Sequence, residues 1–154
     1  MKKLTLIMSA LLLIGIANAQ SNKEEVDYIQ SIFGMNKKAM VANFIIVDAT
    51  KQVSFWKVYD EYETARKSLG KQRIALLSQY AEIYKNMSNE IAEKWLNDVI
   101  SISKETDNLL FSYTKKVKNI TDPITALKFY HIESYILSSI RTAILEEIPF
   151  VNSK

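Results

Sequence analysis

Arg66 and Arg73 stand one heptad apart in a run that is otherwise apolar and aromatic: Phe55, Tyr59, Tyr62, Leu69, Leu76, Tyr80 and Ile83. A guanidinium offers five donors in a planar fork that suits carboxylates, and neighbouring tyrosine rings add flat, amphipathic contact area. Glu133 is the matching anomaly later in the chain, an acid between Tyr130 and Leu137 on another apolar row. Charges on such rows are normally paired when buried, so one reading is an ion-pair layer in which Glu133 meets Arg66 or Arg73 and sets helix register. The other is a concave face on which Tyr59, Arg66, Arg73 and Tyr80 stand open to hold a partner.

Other chemistry has little to work with. His131 is the single histidine, on a row with Leu127, Ser134 and Ser138, and without a second histidine or a Glu-x-x-His pair it makes a poor metal ligand. The absence of cysteine excludes disulfides, a lipid anchor built on an N-terminal Cys, c-type haem attachment and thiolate-bound zinc. There is no Gly-x-Ser-x-Gly elbow, and three glycines are too few for a phosphate-cradling loop. The expectation is a protein that is not an enzyme and has no cofactor. The sequons at Asn86 and Asn119 coincide with helix starts, which already account for Ser88 and Thr121.

The elements that must position these residues are helices. After residue 19 only Gly34, Gly70, Pro123 and Pro149 break the chain, and no stretch alternates apolar with polar. An apolar residue followed by a capping residue recurs at Val47 and Asp48, Met87 and Ser88, and Ile120 with Thr121 and Asp122; Pro123 then suits a first helical turn. Ser21 with Glu24 is a further capping-box candidate. These marks predict four helices at about 22–46, 48–85, 88–118 and 122–147, an all-α fold in which long antiparallel helices form an extended hairpin or bundle.

The alternating four-three spacing from Phe55 to Ile83 implies a long helix wrapped on a neighbour. Val26, Ile29, Phe33, Met40, Phe44 and Val47 mark the apolar face of the first segment. Ile91, Trp95, Val99, Ile102, Leu109, Tyr113 and Val117 mark the third; the fourth has Tyr130, Leu137, Ile140 and Ile144 with Phe129, Ile132 and Ile136 beside them. Trp56 and Trp95 read as core anchors whose indole N–H groups need partners.

Lys2 and Lys3, the apolar run at 4–16, and Ala17, Asn18 and Ala19 have the three-part layout of a secretory signal peptide. The run is too short for the ~20 apolar residues of a spanning helix, so residues 1–19 are expected to be removed, leaving 20–154 as a single all-α domain, periplasmic or secreted and not inserted in a membrane. The whole chain carries 20 Lys+Arg against 17 Asp+Glu, and loss of Lys2 and Lys3 leaves it close to neutral, with no electrostatic footprint for nucleic acid.

With these features in place, the chain resembles the Spy/CpxP-like periplasmic proteins, all-α hairpins marked by a Leu-Thr-x-x-Gln helix start. Ile120, Thr121, Asp122, Pro123 and Ile124 match its first two positions, with Ile124 where Gln would stand; the stretches from Val47 and Met87 match less. It is also similar to exported bacterial proteins carrying a Phe-Trp-x-x-Tyr-x-x-Tyr run, here Phe55, Trp56, Tyr59 and Tyr62, and a Lys-Phe-x-x-x-Glu run, here Lys128, Phe129 and Glu133. The resemblance covers about residues 45–149. It implies ATP-independent chaperone activity or an envelope-stress adaptor, with unfolded clients or an envelope partner bound by a dimeric helical cradle. The alternative expectation is a structural or regulatory envelope protein with one dedicated partner. The absence of the Gln and of His/Met clusters speaks against the metal sensing known in that family.

Overall fold

The computed structural model describes residues 36–148. Residues 1–19, expected to be a signal peptide, the candidate cap at Ser21 and Glu24, and Val26, Ile29 and Phe33 lie outside the described residues. Within them are four α-helices and no strand: α1 Lys37–Phe44, α2 Gln52–Ile83, α3 Asn89–Ile120 and α4 Pro123–Glu147, with a 3-10 turn at Tyr84–Asn86 closing α2. The fold is all-α, as the scarcity of breakers requires.

Two of the three expected caps start helices. Ser88 accepts the Ile91 N–H at 3.2 Å to open α3, and Asp122 accepts the Thr125 N–H at 2.9 Å and the Thr125 hydroxyl at 2.8 Å to open α4, with Pro123 in the first turn. Thr121 does the opposite job. Its N–H and hydroxyl both donate to the Val117 carbonyl and end α3, so the chain reverses between consecutive residues.

The third cap behaves differently from the expectation. Asp48 accepts from the N–H and hydroxyl of Thr50 and thereby closes a turn; α2 begins four residues later, at Gln52. The residues between α1 and that turn are extended, so Ile45 and Val47 face the core while Ile46 is 83% exposed. Phe44, read as a core position, is instead exposed at the end of α1, and Val41 with Ile45 fill the space.

α2 runs about 48 Å at the helical rise and pairs antiparallel with α3, which pairs antiparallel with α4, while α1 lies against α4. Three cross-links hold this arrangement. The Trp95 indole donates to the Leu76 carbonyl at 3.0 Å, joining α3 to α2 through an otherwise committed backbone oxygen. Lys51 reaches across to the Thr121 carbonyl at 2.8 Å, where a cation is favoured by the C-terminal end of α3. Lys38 pairs with Asp60 on the surface, joining α1 to α2.

Packing is uneven along the molecule. The core cluster of Val41, Ile45, Val47, Phe55, Tyr59, Tyr62, Leu110, Val117, Ala126, Phe129, Ile132 and Ile136 lies entirely at the end where α1 covers the other three helices. Phe129 is enclosed by the rings of Tyr59 and Tyr62, centroids 6.5 and 5.2 Å away and nearly perpendicular, which joins α4 to α2. On α4 the row of Phe129, Ile132 and Ile136 is the deeply buried one, and Tyr130, Leu137, Ile140 and Ile144 pack half-buried beside it.

At the far end, where α2 finishes and α3 begins, three helices meet among the described residues. Tyr80 and Ile102 are the buried apolar residues there, with Tyr84 stacked on Tyr80 and Trp95 tilted against it. Ile91, placed in the apolar face by its spacing, is 39% exposed at this thin end.

Candidate functional site

At the thick end, four charges are packed among aromatic rings. Lys37 of α1 pairs with Glu133 of α4 at 2.6 Å and with Glu63 of α2, and Arg66 pairs with Glu63 one turn away at 2.8 Å. Glu133 is fully buried, Arg66 and Lys37 nearly so. The Lys37 ammonium also lies over the rings of Tyr59 and Tyr62, 5.7 and 5.2 Å from their centroids, so the rings replace part of the water it has lost.

The chemistry of this cluster is that of a closed structural network. Burial alone would push the Glu63 carboxyl up, yet Lys37 and then Arg66, by charge and by hydrogen bonds, outweigh it and hold the group down to about 2. Burial, then the Glu133 charge, pushes both the Tyr59 and Tyr62 phenols far above their ordinary value, so neither hydroxyl exchanges protons near neutrality. The Tyr59 and Tyr62 hydroxyls and the second oxygen of Glu133 have no hydrogen-bond partner of normal geometry. They are a standing cost of keeping charge in this core.

The sequence-selected residues therefore separate into two places. Tyr59, Arg66 and Glu133 come together in the cluster; Arg73 and Tyr80 lie toward the thin end. The partner of Glu133 is Lys37, which the sequence reading did not select, and Arg66 is bound by Glu63, one turn away on its own helix. Lys37 was legible in one respect: with Val41 and Ile45 it forms a row spaced by four, a lysine where an apolar residue would fit. His131 is exposed on the outer side of α4, beside the ring of Tyr130. Among the described residues no group of three or more His, Asp or Glu is placed to share a metal ion.

Arg73 faces the second place, an open groove of about 70 Å³ between α2, α3 and α4, walled by Leu76, Leu77, Trp95, Val99, Ile102, Ile144, Leu145 and Ile148. Arg141 of α4 is the other charged residue lining it. Arg73 donates to the Ser103 hydroxyl at 3.3 Å, and among the described residues neither arginine has a carboxylate within ion-pair distance. Burial, then the nearby Arg141 charge, lowers the Arg73 guanidinium below its ordinary value, against weaker support from Asp107. Arg141 could have been found by its spacing, four residues after Leu137 and four before Leu145.

No family model, curated protein or solved structure matches this chain. Among the described residues no helix is long and apolar enough to cross a membrane.

Proposed function

We propose that this chain is an exported helical interaction protein that binds apolar segments of other proteins, in the manner of a chaperone or envelope-stress adaptor, and works as a homodimer. The observation that carries the reading is the division of the molecule into a sealed end and an open one. The acids and phenols of the cluster are enclosed by the helices, with the Glu63 carboxyl held down by Lys37 and Arg66 and the Tyr59 and Tyr62 phenols pushed up by burial. The groove at the thin end instead offers a concave apolar wall to an outside chain, and exposed apolar side chains at both ends, Leu96 and Leu145 at the thin one and Ile46, Val53 and Ile124 at the thick one, add apolar surface around it. The resemblance to Spy/CpxP-like proteins and the signal-like residues 1–19 support the same reading, export included.

The test is aggregation of several unrelated, reduced and unfolding proteins with and without the purified chain, alongside light scattering for its mass. Suppression at stoichiometric ratios across unrelated clients, by a species of twice the chain mass, is the expected result. Unchanged aggregation at several-fold excess would remove the chaperone reading. The alternative is a structural or regulatory envelope protein with one dedicated partner, and recovery of a single stoichiometric partner from envelope extracts would favour it.

A further inference from the structure

The two arginines of the thin-end groove have a consequence for what it takes. An apolar wall ordinarily selects only for apolar groups, yet Arg73 and Arg141 stand at this one with Asp107 as the nearby acid and, among the described residues, no ion pair to either. Two like charges over a partly dry surface leave an electrostatic deficit that an incoming anion relieves, and guanidinium suits carboxylate in particular.

The size of the groove narrows the ligand further. Small-molecule sites usually enclose ~300–1,000 Å³, whereas about 70 Å³ seats one aliphatic side chain and leaves no room for an acyl tail. Leu145, 59% exposed at the rim, and Arg141, also exposed, leave the groove accessible from outside.

We infer that the groove between α2, α3 and α4 captures a peptide segment of a protein partner in which one aliphatic side chain is flanked by carboxylates, the side chain seating against Leu76, Val99 and Ile144 and the carboxylates pairing with Arg73 and Arg141. This rests on the reading of the chain as a protein-binding protein and specifies which segments it selects.

The experiment is fluorescence anisotropy with three fluorescein-labelled ten-residue peptides on a glycine-serine background: leucine between two aspartates, leucine between two lysines, and serine between two aspartates. The full mature chain should bind the first at least about tenfold more tightly than either control, with the preference over the lysine peptide shrinking in 0.5 M salt. Arg141→Glu changes an exposed residue, so the fold should persist, as checked by circular dichroism; it should abolish or reverse the preference for aspartate over lysine. Arg73→Gln should weaken the aspartate-leucine peptide alone. Equal binding of all three peptides, or a preference that survives Arg141→Glu, would overturn the proposal. So would saturable binding of decanoate by a chain that ignores every peptide, since the groove would then serve a free carboxylate amphiphile. Client protection with no charge preference would sink this inference and leave the chaperone reading standing; peptide selectivity without client protection would do the reverse.

Discussion

Lys37 is the residue on which the buried cluster turns, because it alone supplies charge to both Glu133 and Glu63 from a different helix. Removing one partner of a buried pair leaves the other desolvated and uncompensated, a loss of ~3–5 kcal/mol. Lys37→Met should therefore lower stability by that order in denaturant melts, and Lys37→Met with Glu133→Gln should recover part of it, since a neutral pair needs no counter-charge. Arg73→Met, with no carboxylate to abandon and the Arg141 repulsion relieved, should cost less than ~1 kcal/mol. A Lys37→Met loss as small as that of Arg73→Met would mean that Glu133 is solvated. Acid gives a second test at this scale. The Glu63 carboxyl titrates at about 2 in the folded chain against 4.5 ordinarily, so its contribution is complete above pH 4.5 and is lost as the pH falls from there through 2. The loss amounts to about 3 kcal/mol. Glu63→Gln should flatten that part of the stability profile, and an unchanged acid limb would show that Glu63 is not the group responsible.

At the scale of elements, α1 is the weak partner. It has eight residues, too few to hold a helix on its own in water, and it depends on Asn36 at its N-cap, on Val41 in the core and on the charge of Lys37. α3 has Ser88 at its start, Thr121 at its end and neighbours on two sides, so its middle is reached only by global opening. Amide hydrogen exchange should accordingly be fastest in α1 and slowest around Ile102 to Leu110 in α3, with Lys37→Met accelerating α1 first. Uniform protection across α1 and α3 would mean that α1 is an integral part of one cooperative unit. The turn at Thr121 and Asp122 shows how economical an element boundary can be. The Thr121 hydroxyl donates to the Val117 carbonyl in the last turn of α3, the Asp122 carboxylate accepts the Thr125 N–H in the first turn of α4, and Pro123 has no N–H to satisfy.

For the whole molecule, the difference between the ends follows from where α1 lies. Among the described residues four elements enclose the rings of Phe55, Tyr59, Tyr62 and Phe129, and three meet at the other end, where Leu96, Ile100 and Leu145 are exposed. Burying one such leucine is worth roughly 1.5–3 kcal/mol, so a few of them exposed together provide a driving force for association. Sedimentation or light scattering should show a homodimer whose dissociation is promoted by Leu96→Lys, outside the groove, and not by Lys57→Glu, another exposed position. A monomer at all accessible concentrations would restrict the open end to heterologous partners. Export is a whole-molecule prediction too: intact mass of material from the producing cell's envelope should correspond to a chain starting at Gln20, and retention of Met1 to Ala19 would remove the localisation from the proposal.

The sequence by itself determined the helices and their turns. Helix is a local decision, made by the scarcity of glycine and proline, by the four-three spacing from Phe55 to Ile83, and by side-chain oxygens at Ser88 and Asp122 that cap whatever follows them. Each of those signals acts within one or two turns of chain, so it can be read without knowing what lies opposite. Asp48 marks the limit of such reading: the same side chain can cap a helix or close a turn, and the burial of Ile45 and Val47 against distant residues selected the turn. What met across the bundle was decided only by tertiary structure. Glu133 lies 96 positions from Lys37, and spacing alone offered it Arg66 or Arg73; the choice fell instead to the lysine that α1 carries over the rings of Tyr59 and Tyr62. The groove is likewise invisible along the chain, because Arg73 and Arg141 become neighbours only when α2 and α4 both pack on α3. Charge pairing and concavity depend on distances between elements, and those distances exist only once the helices have packed.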